Sequence, residues 1–196
     1  MGKARLEAFT DGVVAIIITI MVLEIRVPQG THLEALRAEV PIFLAYVLSY
    51  VNVGIFWNNH HHLLHASERV NGKVLWANLA MLFWLSLVPF VIRWIDEAGL
   101  TALPVASYGI VLTGAAIAYS VLTLQLVAVN GHDSRLAHAV GNDRKGKLSL
   151  ALYIVGSGLA FLWPWFAIAL YVAVALVWIV PDTRIESLIK SRTPSV

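Results

Sequence analysis

The chain has 196 residues, of which 59% are hydrophobic and only 13% charged, with a mean hydropathy of +0.75. Soluble chains carry about 25% charged residues, so this composition excludes an ordinary water-soluble domain and assigns an integral membrane protein. Without cysteine there are no disulfides or thiolate metal sites, and a net charge of +2 is too small and scattered for nucleic acid.

A helix rises about 1.5 Å per residue, so crossing a hydrocarbon core of roughly 30 Å takes about 20 apolar residues. The first such segment runs from about Phe9 to Ile25, stopped by Pro28, with no charge between Asp11 and Glu24. Lys3 and Arg5 resemble the start of a signal peptide. Glu7 and Asp11 interrupt that pattern, however, and residues 24–28 offer no small-residue cleavage site, so the segment reads as a membrane span. Further spans are expected at about 40–64, 74–92 and 103–129.

Leu148 to Pro181 lacks Asp, Glu, Lys, Arg, His, Asn and Gln altogether. As one helix it would reach roughly 50 Å, too long for one crossing. Pro164, between Trp163 and Trp165, divides it into spans at about 148–163 and 165–181 with a turn at the interface. The reading is therefore an all-α, single-domain membrane protein of six spans, with a polar loop at 130–147 and a tail at 182–196. That tail is expected to lie along the membrane as a short amphipathic helix. If the amino terminus is cytoplasmic, eleven of the fourteen Lys and Arg fall inside and only Arg26, Arg37 and Arg93 outside. This positive-inside bias also puts the basic loop near Lys145 and the basic tail near Lys190 on one side, which requires an even number of crossings between them. The expected location is a bacterial-type cell membrane with both termini cytoplasmic.

Neither GxxxxGK[ST] nor GxGxxG occurs, so nothing points to nucleotide-driven transport, and no inverted repeat supports a secondary transporter. The second span carries "IFWNNHHHLLH", Ile55 to His65, holding four of the seven histidines. Trp57 and His61, like His61 and His65, are four apart and can share a helix face. One reading is a metal-dependent membrane enzyme, but no HExxH is present and only His132 and His138 could add remote imidazoles. The better reading is a polar network within the bundle near the inner interface, at the level of Arg5 and Asp11.

Arg5-x-x-x-Phe9-Thr10-Asp11 on the first span, with Trp57-x-x-His60-His61 on the second, resembles the bacterial branch of the transmembrane protein 175 family. Its animal members are potassium-permeable channels of endosomes and lysosomes. Thr10 stands where that signature usually has Ser, which keeps the hydroxyl, and His62 is an addition. The resemblance implies a homotetrameric channel whose pore is lined by the first helix of each subunit. It also implies an apolar constriction five residues after the aspartate, at Ile16, continued by Ile20 and Leu23, with Thr19 adding a hydroxyl beside it. Helical spacing is compatible, since 16, 20 and 23 share a face, but Val13, Val14, Ile17, Ile18 and Val22 are equally apolar and periodicity alone selects no pore.

Charges beside a bilayer persist when paired or solvated. Arg5 and Asp11 are therefore expected to pair with each other or with Trp57, Asn59 and His61, in a network with Phe9, Thr10 and His60 that fixes the first helix. The alternative is interfacial capping, with Thr10 and Asp11 accepting backbone N–H groups at a helix start. The implied function is a leak-type potassium channel, modestly selective over sodium, with proton permeation as the alternative. No TVGYG filter and no arginine ladder is present. No cofactor or metal is expected, the permeant ion being potassium, and the partners are other copies of the chain, monovalent cations and membrane lipid.

Overall fold

A computed structural model describes residues 2–131, 133–141 and 143–179. All regular structure among them is helical. The order is α1 (Lys3–Leu23), α2 (Leu33–Ala38), α3 (Val40–Ala66), α4 (Gly72–Ser86), α5 (Val88–Ala98), α6 (Ala102–Asn130), α7 (Arg135–Val140), α8 (Arg144–Leu159) and α9 (Pro164–Ile179). Four stretches are long and apolar enough to cross a membrane: α1, α3, the α4–α5 pair and α6. The shorter α8 and α9 have 16 residues each, about 24 Å of helix.

Several expected boundaries change. The first helix begins at Lys3 rather than Phe9 and stops at Leu23, ahead of Ile25, because Gly2 is its extended N-cap and Glu24 closes its last turn. The third span is longer than 74–92 and is two helices broken at Leu87. Pro89 causes the break: its ring lacks an N–H and is accepted only in the first turn of a new helix. Pro164 plays the same part between α8 and α9, opening α9. The polar loop is partly ordered into α7, capped by the Ser134 side chain, and α8 starts at Arg144 under an Asp143 cap. The amphipathic helix expected in the tail lies outside the described residues.

The core is centred on α6, which packs against α4 and α8. Small residues make this close approach feasible: a Cβ added at Gly114 would collide with the Trp84 indole of α4, and one at Gly109 with the Tyr171 hydroxyl of α9. Several polar groups inside the bundle pair across helices. Ser49 and Asn52 of α3 donate to the Tyr108 hydroxyl of α6 at 3.0 and 3.2 Å, and Tyr153 of α8 donates to Asn52 Oδ1 at 3.3 Å. At the end of α6, Asn130 Oδ1 accepts from the backbone N–H groups of Glu68 and Arg69 at 2.8 and 2.9 Å. This ties down the turn between α3 and α4. Against the frame so formed, α1 lies on α3, α4 and α5.

Candidate functional site on the first helix

The α1 helix has two unlike faces. Leu6, Thr10, Val14, Ile17 and Met21 are buried against α3, α4 and α5. These positions recur every three or four residues, the repeat of one helical face. The opposite face looks away from the subunit: Ile16 is 60% exposed, Ile20 41% and Leu23 76%, whereas Ile17 is 3% exposed. Thr19 lies on this free face too, its hydroxyl donating to the Ala15 carbonyl at 2.8 Å. Beside the large residues runs a stripe of small ones, Ala8, Gly12 and Ala15, all exposed. By contrast, the exposed face of α4 carries Trp76, Leu79 and Phe83, the bulky apolar side chains that suit lipid.

Lys3 Nζ, at the start of α1, donates to the Ser67 carbonyl at 2.9 Å, and three further contacts hold the first half of the helix. Thr10, fully buried, accepts from Asn78 Nδ2 of α4 at 2.9 Å. The Trp57 indole N–H of α3 donates to Asp11 Oδ1 at 2.8 Å. Glu7 Oε1 stands 3.3 Å from His61 Nδ1 of α3. The second of these falls within the set of residues singled out above; Asn78 and Glu7 do not. Glu7 was legible, being four residues before Asp11 and one turn along the same helix, but Asn78 sits alone in an apolar run with nothing to mark it.

His60, 1% exposed, lies beside Asn78, so that α1, α4 and α3 each bring one polar residue to the same buried place, with Thr10 and Asn78 hydrogen-bonded there. Trp57, His61 and His65 stack in succession along α3, with ring centroids 6.1 Å apart at each step. The remaining expected members are placed elsewhere. Asn59 Nδ2 turns back to the Ile55 carbonyl at 2.8 Å, and its own carbonyl accepts from Tyr119 at 3.2 Å. Phe9 is 47% exposed and faces outward.

Arg5 is exposed and, among the described residues, makes no ion pair with Asp11. Helical geometry explains this: six residues separate the two, which sets them about 120° apart and about 9 Å apart along the axis. Nor are Thr10 and Asp11 capping residues. The helix begins at Lys3, so by position 10 every backbone N–H already has a carbonyl four residues back. Among the described residues no group of three or more His, Asp or Glu converges as a metal site would require.

The paired faces of α1 and its polar contacts can be compared with known proteins. A family profile described as "Endosomal/lysosomal potassium channel TMEM175" matches residues 5–89, the stretch holding α1, the α3 histidines and Asn78. A potassium channel of Chryseobacterium sp. (strain P1-3) is 48% identical over 190 residues, 97% of this chain and 99% of that one. The human endosomal/lysosomal proton channel TMEM175 is 38% identical over 96 residues, 42% of this chain and 19% of its own length. Among solved structures, the lysosomal potassium-selective channel TMEM175 homolog from Chamaesiphon minutus superposes with a TM-score of 0.78 at 25% identity. That alignment covers 92% of this chain and 97% of the other. With near-half identity along almost its whole length and the same helical fold, the chain belongs to the TMEM175 family, whose members are membrane ion channels and not enzymes.

Proposed function

We propose that the chain is a passive, potassium-permeable cation channel in which four copies meet around α1. The single observation that carries this reading is the exposure of Ile16, Ile20 and Leu23 on a membrane helix whose other face is buried, beside the small-residue stripe of Ala8, Gly12 and Ala15. A bulky apolar face needs only lipid. A stripe of small residues lets a second backbone approach closely, and the helix of a neighbouring copy is such a partner. With the α1 helices so packed, Ile16 forms an apolar ring, Ile20 and Leu23 continue it towards the far end, and Thr19 supplies hydroxyls. Ions crossing this neck shed water without a full set of replacement oxygens, which favours the less strongly hydrated potassium over sodium by a modest factor. The names of the bacterial relatives support potassium as the ion.

On this reading α8 and α9 form a short final pair of crossings, which makes six and keeps the two termini on one side; the excess of Lys and Arg on that side supports the cytoplasmic face of a bacterial inner membrane. No bound cofactor is required. Proton permeation is the second reading, favoured by the name of the human relative.

The test is ion flux into liposomes holding the purified chain, with its mass in mild detergent measured in parallel. The reading expects a tetramer and a potassium flux exceeding that of sodium. Ile16→Asn should raise flux and flatten discrimination among potassium, sodium and caesium, because each subunit then offers an amide at the neck. Ile17→Asn should damage folding or insertion without opening the path. A monomer, or flux indifferent to Ile16 and raised by Ile17→Asn, refutes the orientation of α1. A pH indicator inside the same liposomes reports protons separately.

A further inference from the structure

Beyond Met21, α1 loses its apolar hold on the subunit. Met21 is fully buried, but Val22 is 46% and Leu23 76% exposed. What remains is charge. Arg26 Nε lies 2.6 Å from Asp96 Oδ2, Arg93 Nη1 lies 3.4 Å from Glu24 Oε2, and Arg93 Nε lies 3.1 Å from Glu97 Oε1. These groups surround a polar cleft of about 230 Å³ at the Leu23 end of the helix. Arg93, Asp96 and Glu97 all belong to α5, whose other side buries Val88, Val91, Ile92 and Ile95. That helix is a fixed post, amphipathic by design of its sequence, and its charged face is turned to the end of α1. None of these five charged residues belongs to the set expected from the sequence.

We propose that this cluster is a second clamp on α1, making Arg93 and Asp96 positioning residues for conduction. The first clamp, Thr10–Asn78 with Asp11–Trp57, fixes rotation near the amino-terminal half. Asp11 and Glu24 are separated by about 20 Å of helix, across which α1 offers its neighbours only apolar contacts that resist rotation weakly. Two ion pairs on α5 supply the missing direction. They hold Leu23 and Ile20 on the free face and keep Met21 turned inward. The role in conduction rests on the channel reading; the mechanical role does not.

The chain contains no cysteine, so single introduced thiols are unambiguous reporters. In proteoliposomes, Leu23→Cys should react readily with a charged, membrane-impermeant methanethiosulfonate, and Met21→Cys should be protected. Adding Arg26→Ala and Arg93→Ala should raise labelling at Met21→Cys by roughly three- to tenfold, as befits partly exposed pairs. Arg26→Asp alone should raise labelling at Met21→Cys in the same way, and adding Asp96→Arg, which exchanges the charges of the shorter pair, should return it towards the original rate, which general loosening of the fold would not do.

The inference is overturned if protection at Met21→Cys survives the double alanine change, or if the exchanged pair fails to restore it. It is equally overturned if a buried reporter in another helix, Leu126→Cys in α6, gains reactivity to the same extent. Labelling is read by mass and needs no conduction. If Leu23→Cys is modified without any change in flux, the channel reading fails while the clamp is still judged on its own data.

Discussion

Thr10 and Asn78 form the buried link between α1 and α4, and the cost of breaking it can be worked from both sides. In Thr10→Val the shape is kept, but the Asn78 amide loses the acceptor that it reaches at 2.9 Å, in a position from which water is excluded. A buried donor left unmade costs about 1–3 kcal/mol in soluble proteins, and hydrogen bonds inside membrane bundles average about 0.6 with a maximum near 1.7. The expected loss is therefore about 1–2 kcal/mol, roughly a five- to thirtyfold shift in the folding equilibrium. Asn78→Leu should cost a similar amount, by leaving the buried Thr10 hydroxyl without the N–H that it accepts. The double variant should cost clearly less than the sum, because neither partner then remains unmatched. Reversible unfolding in mixed lipid–detergent micelles, followed by the fluorescence of the seven tryptophans, gives all four corners of the cycle. If the single losses simply add, Thr10 and Asn78 are not coupled, and the placement of α1 must rest on other contacts.

Gly114→Ala should destabilise the subunit by about 1–3 kcal/mol, since the new methyl falls within the Trp84 ring, while Gly12→Ala, with no atom within 4 Å, should leave the isolated subunit as stable as before; the same unfolding assay compares them. If four copies pack along the small stripe, Gly12→Ala should instead weaken the tetramer, read as dissociation on dilution in detergent. Trp57→Phe keeps an aromatic ring, though a smaller one, and removes the N–H that Asp11 accepts at 2.8 Å, a charge-assisted bond whose loss should cost roughly 1 kcal/mol and reduce the yield of assembled protein; Asp11→Asn should be milder than Asp11→Ala because the amide oxygen can still accept.

The four long apolar helical stretches were legible because lipid imposes a length and a polarity on each crossing, and the divided final segment because Pro164 cannot continue a helix. The break at Leu87 follows from the same rule applied to Pro89, yet the apolar run around it reads as continuous. The charged end of α5 looks like loop when only hydropathy is weighed. Its charges are tolerated because they lie at a helix end where they meet Glu24 and Arg26. The face of α1 was legible only through family resemblance, since residues on all its sides are apolar. Composition does separate the sides in another way: Ala8, Gly12 and Ala15 mark the stripe open to close packing, and that spacing stands in the sequence. Asn78 stood apart because a lone amide gains meaning only from the partners that folding brings to it. The proposed pairing of Arg5 with Asp11 failed on angle, which the helical repeat alone could have shown.

Why an apolar helix should carry polar residues at both ends then has a mechanical answer. Apolar contacts are non-directional, and in lipid they barely distinguish one rotation of α1 from another. Hydrogen bonds and ion pairs are directional, so a few of them decide which apolar residues of α1 face away from the subunit, and in the proposed tetramer which of them face its axis. Turning α1 by one residue, about 100°, would exchange Ile16 for Ile17 with almost no change in hydrophobicity. It would, however, break the bonds from Asn78 to Thr10 and from Trp57 to Asp11 together, and would pull Glu24 from Arg93. The polar groups need not touch an ion to govern its path: they make one of several nearly equal rotations the stable one, and the apolar face so selected is the one that the proposed channel uses as its neck.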